Sequence, residues 1–494
     1  MLVRELKRLG TQSAIYGLGG VISRLIAVFL LPVYTVYLGR VGLGEIETII
    51  AITSVLVIVL GLGITSAFFR FYFDSEDEAR RTLVVRTSFW FTMTMATVGL
   101  AIGWALSVPL AAWLNLGHFT GPASHQVFHA DPWIVRAGFV GLWAQMNYAQ
   151  ITALFRVEER PVQFAIASIA NVLITIGSTI ALVIGAHKGA IGAVIGNFLG
   201  TLAVYVVLVS YRRFQLGFQF DRKLLRQMNK FGLPLVPAAL ALWVINLIDR
   251  LFINAYKGQG EVGVYSLAVR ISSVIIFLMT AFQLAWPAFA YSIRDDRVAK
   301  RTYSYVLTYL LFLTCWMSLA LGALAPWIVA LFDPKHQFGR SAEAVPILCF
   351  ATAAYSGYSV LAIGIGRMRQ TQFNWVVSGA AAVVNIGLNI ALIPPYGMIG
   401  AAFATIVAYV VLFLGMWLRS RQVYPVAYQW RRIVTLTSVA GGMTILGYEL
   451  HSLPVSIALV VVFPLVLLPL RFYLPAELTR LRRLVRLEHE AGVV

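Results

Sequence analysis

Charge is what this sequence has least of. Only 12% of its 494 residues are charged, and of these 21 are acidic. A soluble globular domain carries about 25% charged residues, so an ordinary water-facing surface is excluded for most of the chain. Cysteine is nearly absent too. Cys315 and Cys349 stand alone in apolar runs, which excludes a disulfide framework and reads as two small packing residues. Catalytic and metal-binding constellations are also missing. His125, His129 and Asp131 have HxxxHxD spacing, but the loop that carries them contains Gly and Pro, so helical ligand geometry is not expected and neither is a metal. Asp295 and Asp296, between Arg294 and Arg297, read as a local charge cluster. Gly364-Ile365-Gly366 follows no strand and is not a phosphate loop. With no ATP-binding motif and no candidate catalytic residue, the chain is not read as an enzyme.

What is present is apolar side chain. The sequence is 59% hydrophobic with mean hydropathy +0.80. Lipid is the solvent that accepts such a composition, and each crossing takes about 20 apolar residues as a helix. The pattern predicts fourteen spans, at approximately 11–37, 44–69, 82–108, 133–155, 161–185, 190–211, 231–255, 263–290, 302–332, 344–366, 373–394, 399–418, 432–450 and 454–473. Pro32, Pro234, Pro237, Pro287 and Pro326 interrupt several of them, as membrane helices tolerate. The opening Arg4, Lys7 and Arg8 precede a run too long for the core of a signal peptide and without a cleavage site, so this run is taken as the first span.

The net charge of +18 tests that reading. If the amino terminus is cytoplasmic and each span crosses once, 29 Lys and Arg residues fall in cytoplasmic segments. The outer loops hold five: Arg40, Lys188, Lys257, Lys335 and Arg340. This is a strong positive-inside bias. It places both termini in the cytoplasm of a multi-pass protein of the inner or plasma membrane, and the basic excess needs no nucleic-acid partner.

The sequence repeats internally. Ala79-Arg80-Arg81-Thr82 matches Ala299-Lys300-Arg301-Thr302, and Ile180-Ala181-Leu182-Val183 matches Ile390-Ala391-Leu392-Ile393. Spans one to six therefore correspond to spans seven to twelve, and an even number per copy makes the repeat parallel. The expected fold is all-α and integral to the membrane, with two parallel six-helix repeats and two further C-terminal helices. Its parts are an N-terminal half (1–213), a cytoplasmic linker (214–230), a C-terminal half (231–421), spans thirteen and fourteen (422–474) and a basic amphipathic tail (475–494) that suits an anionic membrane surface.

Charges inside spans are costly and mark function or pairing. Arg24 lies mid-span with Gln12, Tyr16, Gly20 and Ser23 on its stripe. Trp243, Asn246, Arg250 and Asn254 share a face of the seventh span, beside Asp249. Arg270, Ser273, Phe277 and Thr280 share a face of the eighth. Such stripes suit a polar cavity between the halves, and an Arg fork suits phosphate or carboxylate. The alternative is a structural ion pair, with Asp249 neutralising Arg250 or Arg270. Asp249 is otherwise a coupling-ion site or an orienter of Arg250. Glu45 and Glu47 read as a solvated interfacial pair. Asn171, Thr175, Ser178, Asn385 and Asn389 read as interhelical hydrogen-bonding groups.

The stretch FGLPLVPAALALWVINLIDRLFINAYKGQGEVGVYSLAVRIS, from Phe231 to Ser272, and the opening GGVISRLIAVFLLPVYTVYLGRVGLGE resemble the Wzx-like polysaccharide flippases. These belong to the multidrug/oligosaccharidyl-lipid/polysaccharide exporter superfamily. The resemblance runs over the whole chain through helix count and repeat. It departs at Gly44-Glu45-Ile46-Glu47, where that family usually has Tyr-Gly. It implies translocation of undecaprenyl-diphosphate-linked, or similar polyprenyl-linked, oligosaccharide from the inner to the outer leaflet by alternating access. Arg24, Arg250, Arg270, Asn246 and Tyr16 would then bind substrate, with Asp249 as the coupling or charge-orienting group. No cofactor is expected beyond H+ or Na+ as a coupling ion. Partners would be the lipid-linked glycan, membrane lipids, and a polysaccharide polymerase and chain-length regulator. The alternatives are a lipid II flippase and an ion-coupled multidrug exporter. The latter would need an acid in the amino-half cavity, and none lies between Glu5 and Glu45.

Overall fold

The computed structural model describes residues 30–120, 127–213, 215–368, 374–475 and 477. Tyr16, Arg24 and most of the first predicted span lie outside them, as do His125 and the tail from 478 onward. Inside a bilayer every backbone N–H and C=O must find an internal partner, and the described residues answer with helices. A short helical turn, Leu31–Val33, and a π-helical turn, Tyr34–Leu38, close the first span. Then come α1 (Gly39–Gly61), α2 (Ile64–Phe73), α3 (Glu78–Ala105), α4 (Ser107–Trp113), α5 (Pro132–Val157), α6 (Pro161–Ile180) and α7 (Gly189–Arg212). The linker helix α8 (Arg222–Gly232) leads into the second half, which has α9 (Val236–Lys257), α10 (Gln259–Ser272), α11 (Val274–Ser292), α12 (Asp296–Ala323) and α13 (Ala325–Phe332). It continues with α14 (Ser341–Arg367), α15 (Asn374–Tyr396), α16 (Met398–Val423), α17 (Trp430–Glu449) and α18 (Leu453–Val466). Nine helical segments among the described residues are long and apolar enough to cross a membrane. The protein is an all-α membrane protein of about fourteen spans.

The repeat is visible in capping chemistry. Asp77 caps α3 by accepting from the Ala79 amide, and Asp295 caps α12 by accepting from the amides of Arg297 and Val298. Each long helix then breaks at a leucine, Leu106 or Leu324, into a short apolar helix, α4 or α13. Cys315 and Cys349 are buried in packed apolar clusters.

Three local features differ from the sequence reading. The second span is broken between α1 and α2, where Leu62 and Gly63 both take left-handed backbone (φ 45° and 71°). A Cβ on Gly63 would sit 2.3 Å from the Gly232 carbonyl oxygen, so the break is also a close helix approach that only glycine allows. The expected loop at 109–132 contains α4 and a small antiparallel hairpin, β1 (Gly117–Thr120) with β2 (Val127–Ala130). The basic linker carries the amphipathic α8, capped by Asp221. These departures share a cause: each depends on contacts with distant parts of the chain, or on a few turn residues within a polar stretch.

Candidate functional site

The halves meet along a seam in which α1 runs antiparallel to α9 and packs on α10. Small residues permit it. A Cβ on Gly44 would lie 1.9 Å from the Gln259 carbonyl oxygen, and one on Gly263 would lie 1.8 Å from that of Arg40. Gly263→Ala is therefore expected to destabilise the protein by at least the ~1–3 kcal/mol typical of overpacking. Gly177→Ala, with open space around its Cβ, should not. Thermal unfolding of the two purified variants, followed by the loss of the monodisperse peak, checks this.

Within the seam lies a buried charge cluster. Arg250 of α9 donates through Nε to Glu47 Oε2 of α1 at 3.2 Å, and through Nη1 to Asp249 Oδ1 at 3.1 Å and the Asn246 carbonyl at 2.8 Å. Arg270 of α10 donates to Glu47 Oε1 through Nη2 at 2.6 Å and Nε at 3.0 Å. The Arg270 guanidinium also lies over the Tyr34 ring, 5.2 Å from its centroid, in cation–π range. Tyr265 donates to Asp249 Oδ2, and Tyr409 of α16 donates to Asn246 Oδ1 at 2.7 Å. Asp249 and Arg250 are only 2% and 4% exposed. Two cations and two carboxylates thus balance, as burial requires.

Polar contacts continue the seam on both sides of the cluster. Thr48 donates to Gln259 Oε1 at 2.9 Å, while Gln259 and Asn254 donate to the Leu114 carbonyl at 2.7 and 2.6 Å. Glu45 accepts from the Gly117 amide at 3.0 Å. Toward the other end, Trp243 donates to the Ala51 carbonyl and to Ser54 Oγ at 3.2 and 3.0 Å. Lys335 reaches the Val36 carbonyl across the halves at 2.5 Å.

The cluster unites Arg250, Arg270 and Asp249, and it holds Asn246 through Tyr409. It corrects one expectation. Glu45 and Glu47 are buried rather than solvated, because the α1–α10 approach removes their water and the arginines and the Gly117 amide replace it. Arg250 pairs with Asp249, as the ion-pair alternative has it, and both Arg250 and Arg270 are engaged by Glu47. Sequence reasoning missed Glu47, Tyr34, Tyr265 and Tyr409. The available signal for Glu47 was an acid inside an apolar run, in a chain with more intramembrane arginines than assigned counter-ions.

Other expectations divide. Asn171 accepts from Thr175 of its own helix and from Thr201 of α7, and Ser178 donates to the Gly196 carbonyl, so that group does bridge helices. Asn389 instead donates to Asn385 within α15 at 3.0 Å. His129 lies on β2 and Asp131 caps α5 through the Trp133 amide. No group of metal-ligating side chains is found among the described residues. Ser273 falls at the α10–α11 break, and Thr280 donates to the Ile276 carbonyl of its own helix.

Beside the seam, the amino-terminal half carries an open cavity of about 490 Å3 that Ser54 lines. Gln145, Tyr148, Asn171, Asn197 and Arg156 also line it, and no carboxylate among the described residues does.

The model of the polysaccharide biosynthesis protein family matches residues 9–293, and that of the MatE family matches residues 234–391. An uncharacterised membrane protein of Methanocaldococcus jannaschii is 26% identical over 206 residues, 40% of this chain and 39% of that one. The chain thus matches about two fifths of that relative's length. In fold it resembles the lipid II flippase MurJ in an inward closed conformation, with TM-score 0.72 and 14% identity over 91% of this chain and 98% of that one. It also resembles a MATE transporter in a bent conformation, with TM-score 0.57 and 16% identity over 88% and 96% of the two chains. The chain belongs to the polysaccharide biosynthesis protein family, within the transporter superfamily that unites flippases and multidrug exporters.

Proposed function

We propose that the protein flips a polyprenyl-diphosphate-linked oligosaccharide, such as an undecaprenyl-linked one, from the inner to the outer leaflet. The observation that carries this reading is the convergence of Arg250 and Arg270, from one half, on the single carboxylate of Glu47, from the other. When the halves part, the guanidiniums of buried Arg250 and partly buried Arg270 lose the carboxylate they share. A diphosphate supplies the replacement, because its oxygens accept from both Arg forks. Glu47 and substrate thus compete for the same cations, and the exchange couples binding to the opening of the seam. Arg24 and Tyr16, which lie outside the described residues, are proposed as further substrate-binding groups. Asn246 would hold the substrate edge, and Asp249 would orient Arg250 or take up a coupling H+ or Na+.

The 490 Å3 cavity supports a glycan head group, because amides and hydroxyls suit a polyol. A multidrug cation exporter would need an acid there, and the described lining has none. A lipid II flippase is the second reading, favoured by the fold similarity to MurJ and by the same class of anionic substrate. Polymerase and chain-length regulator are proposed as partners after the flip.

The test is flipping in proteoliposomes. The protein should accelerate translocation of a fluorescent polyprenyl-diphosphate oligosaccharide, read by an impermeant quencher, and should not move a cationic dye. Equal or faster flipping of lipid II would favour the second reading. Dye transport without lipid flipping would overturn both.

The basic face is proposed to be cytoplasmic in the cell membrane. Exposed Ala186 and Gln227 lie on opposite faces, while Cys315 and Cys349 are buried. An impermeant maleimide on intact cells should label Ala186→Cys and spare Gln227→Cys. The reverse pattern contradicts the orientation.

A further inference from the structure

A groove on the outside of the amino-terminal half lies away from the seam. Its volume is about 500 Å3, and α5 and α7 form its walls. Ala137, Val140 and Ala144 recur at helical spacing on α5, and Ile191, Ile195 and Leu202 run along α7. Twelve residues of α7, from Ile191 to Leu202, span about 16 Å at a rise of ~1.5 Å from each to the next. That is about half of a ~30 Å hydrocarbon core, the depth of one leaflet.

The mouth of the groove is cationic and aromatic. Arg136 lies between two indoles, 5.1 Å from the Trp104 centroid and 4.7 Å from that of Trp133. Its Nε donates to Ser107 Oγ at 3.1 Å. Lys188, exposed at the start of α7, lines the same mouth. No carboxylate among the described residues forms an ion pair with either cation. Trp104 and Trp133 are themselves about half exposed, as an interfacial aromatic belt is. Few basic residues occur on this face of the protein, so two at one groove mouth call for an anion. The apolar walls below them call for a chain.

We propose that this groove binds an anionic phospholipid of the leaflet opposite the basic loops. Its phosphate sits against Arg136 and Lys188, and one acyl chain lies between α5 and α7. The inference rests on the membrane fold alone and is independent of the transport proposal. The bound lipid braces α5 against α7, the walls that also line the polar cavity, because Phe198 lines both spaces.

The experiment is native mass spectrometry and thermal unfolding of the full chain in detergent, titrated with phosphatidylglycerol, phosphatidylcholine or diacylglycerol, and separately with undecaprenyl phosphate. Phosphatidylglycerol should be retained at one molecule per chain and should raise the unfolding temperature. Phosphatidylcholine should bind at least tenfold more weakly, and diacylglycerol not measurably. Arg136→Gln/Lys188→Gln should weaken phosphatidylglycerol binding at least tenfold. Because Arg136 also packs between indoles, Ile195→Trp provides a second variant that fills the groove and keeps both cations. It should lose the bound lipid while folding normally. Unchanged phosphatidylglycerol binding in both variants, or equal binding of the three lipids, overturns the proposal. Tighter binding of undecaprenyl phosphate than of phosphatidylglycerol overturns the occupant assigned and gives the groove to a polyprenyl lipid.

Discussion

Glu47→Gln should lower the stability of the protein by roughly 3–5 kcal/mol, the usual effect of removing one partner from a buried ion pair. Glu47 accepts from both Arg250 and Arg270. Its neutral isostere leaves buried Arg250 with Asp249 as its carboxylate partner and takes from partly buried Arg270 the carboxylate of Glu47. The same change removes the ionic contact that ties α1 to α9 and α10, so the seam should open more readily. The double variant Glu47→Gln/Arg270→Gln keeps the balanced Arg250–Asp249 pair and should recover part of the stability, but it should lose most transport. Unfolding temperature and membrane abundance measure the first effect, and lipid flipping the second. Full stability of Glu47→Gln would mean that the cluster does not hold the halves together.

Removing one arginine should abolish most transport. A charge-assisted hydrogen bond contributes roughly 1.5–3 kcal/mol, so Arg250→Ala or Arg270→Ala should weaken diphosphate binding about tenfold or more. Lysine keeps the charge and loses the fork, so Arg270→Lys should retain partial activity. The two sites should differ in stability. Arg250 lies against Asp249, Glu47 and the Asn246 carbonyl, and its loss leaves Asp249 with Tyr265 as its remaining side-chain donor. Arg270→Ala leaves Glu47 still bound by Arg250. Arg250→Ala should therefore reduce abundance more than Arg270→Ala, while both reduce transport per molecule. If both alanine variants transport at the wild-type rate per molecule, the anion site lies elsewhere.

Much of the architecture was legible because lipid imposes strict rules. Apolar runs of spanning length, and the matching stretches Ala79–Thr82 and Ala299–Thr302 in α3 and α12, mark helices without reference to tertiary contacts. The arginines were legible for the same reason: Arg250 and Arg270 are too costly in an apolar span to be incidental. Their partner was harder to see. Glu47 lies two residues from Glu45 near a predicted span end, the pattern of an exposed interfacial pair. Only the approach of Gly44 to Gln259 and of Gly263 to Arg40 buries it, and that approach joins residues more than two hundred positions apart. The β-hairpin escaped notice because its strands are four residues each, too short for a period-2 pattern. The aromatic donors Tyr265 and Tyr409 were hidden among ordinary apolar residues, since a tyrosine in a span shows no sign of what its hydroxyl meets.

The central claim is that Glu47 and a diphosphate exchange at the same two arginines as the halves part. The most direct measurement is the distance between spin labels at Tyr37→Cys and Tyr256→Cys, both about half exposed and on opposite halves. Pulsed electron paramagnetic resonance on the purified protein should give one short distance. Undecaprenyl diphosphate should add a longer one, and undecaprenol, which has no phosphate, should not. Glu47→Gln should show the longer distance without ligand. A distribution that stays the same with undecaprenyl diphosphate and in Glu47→Gln would contradict the account.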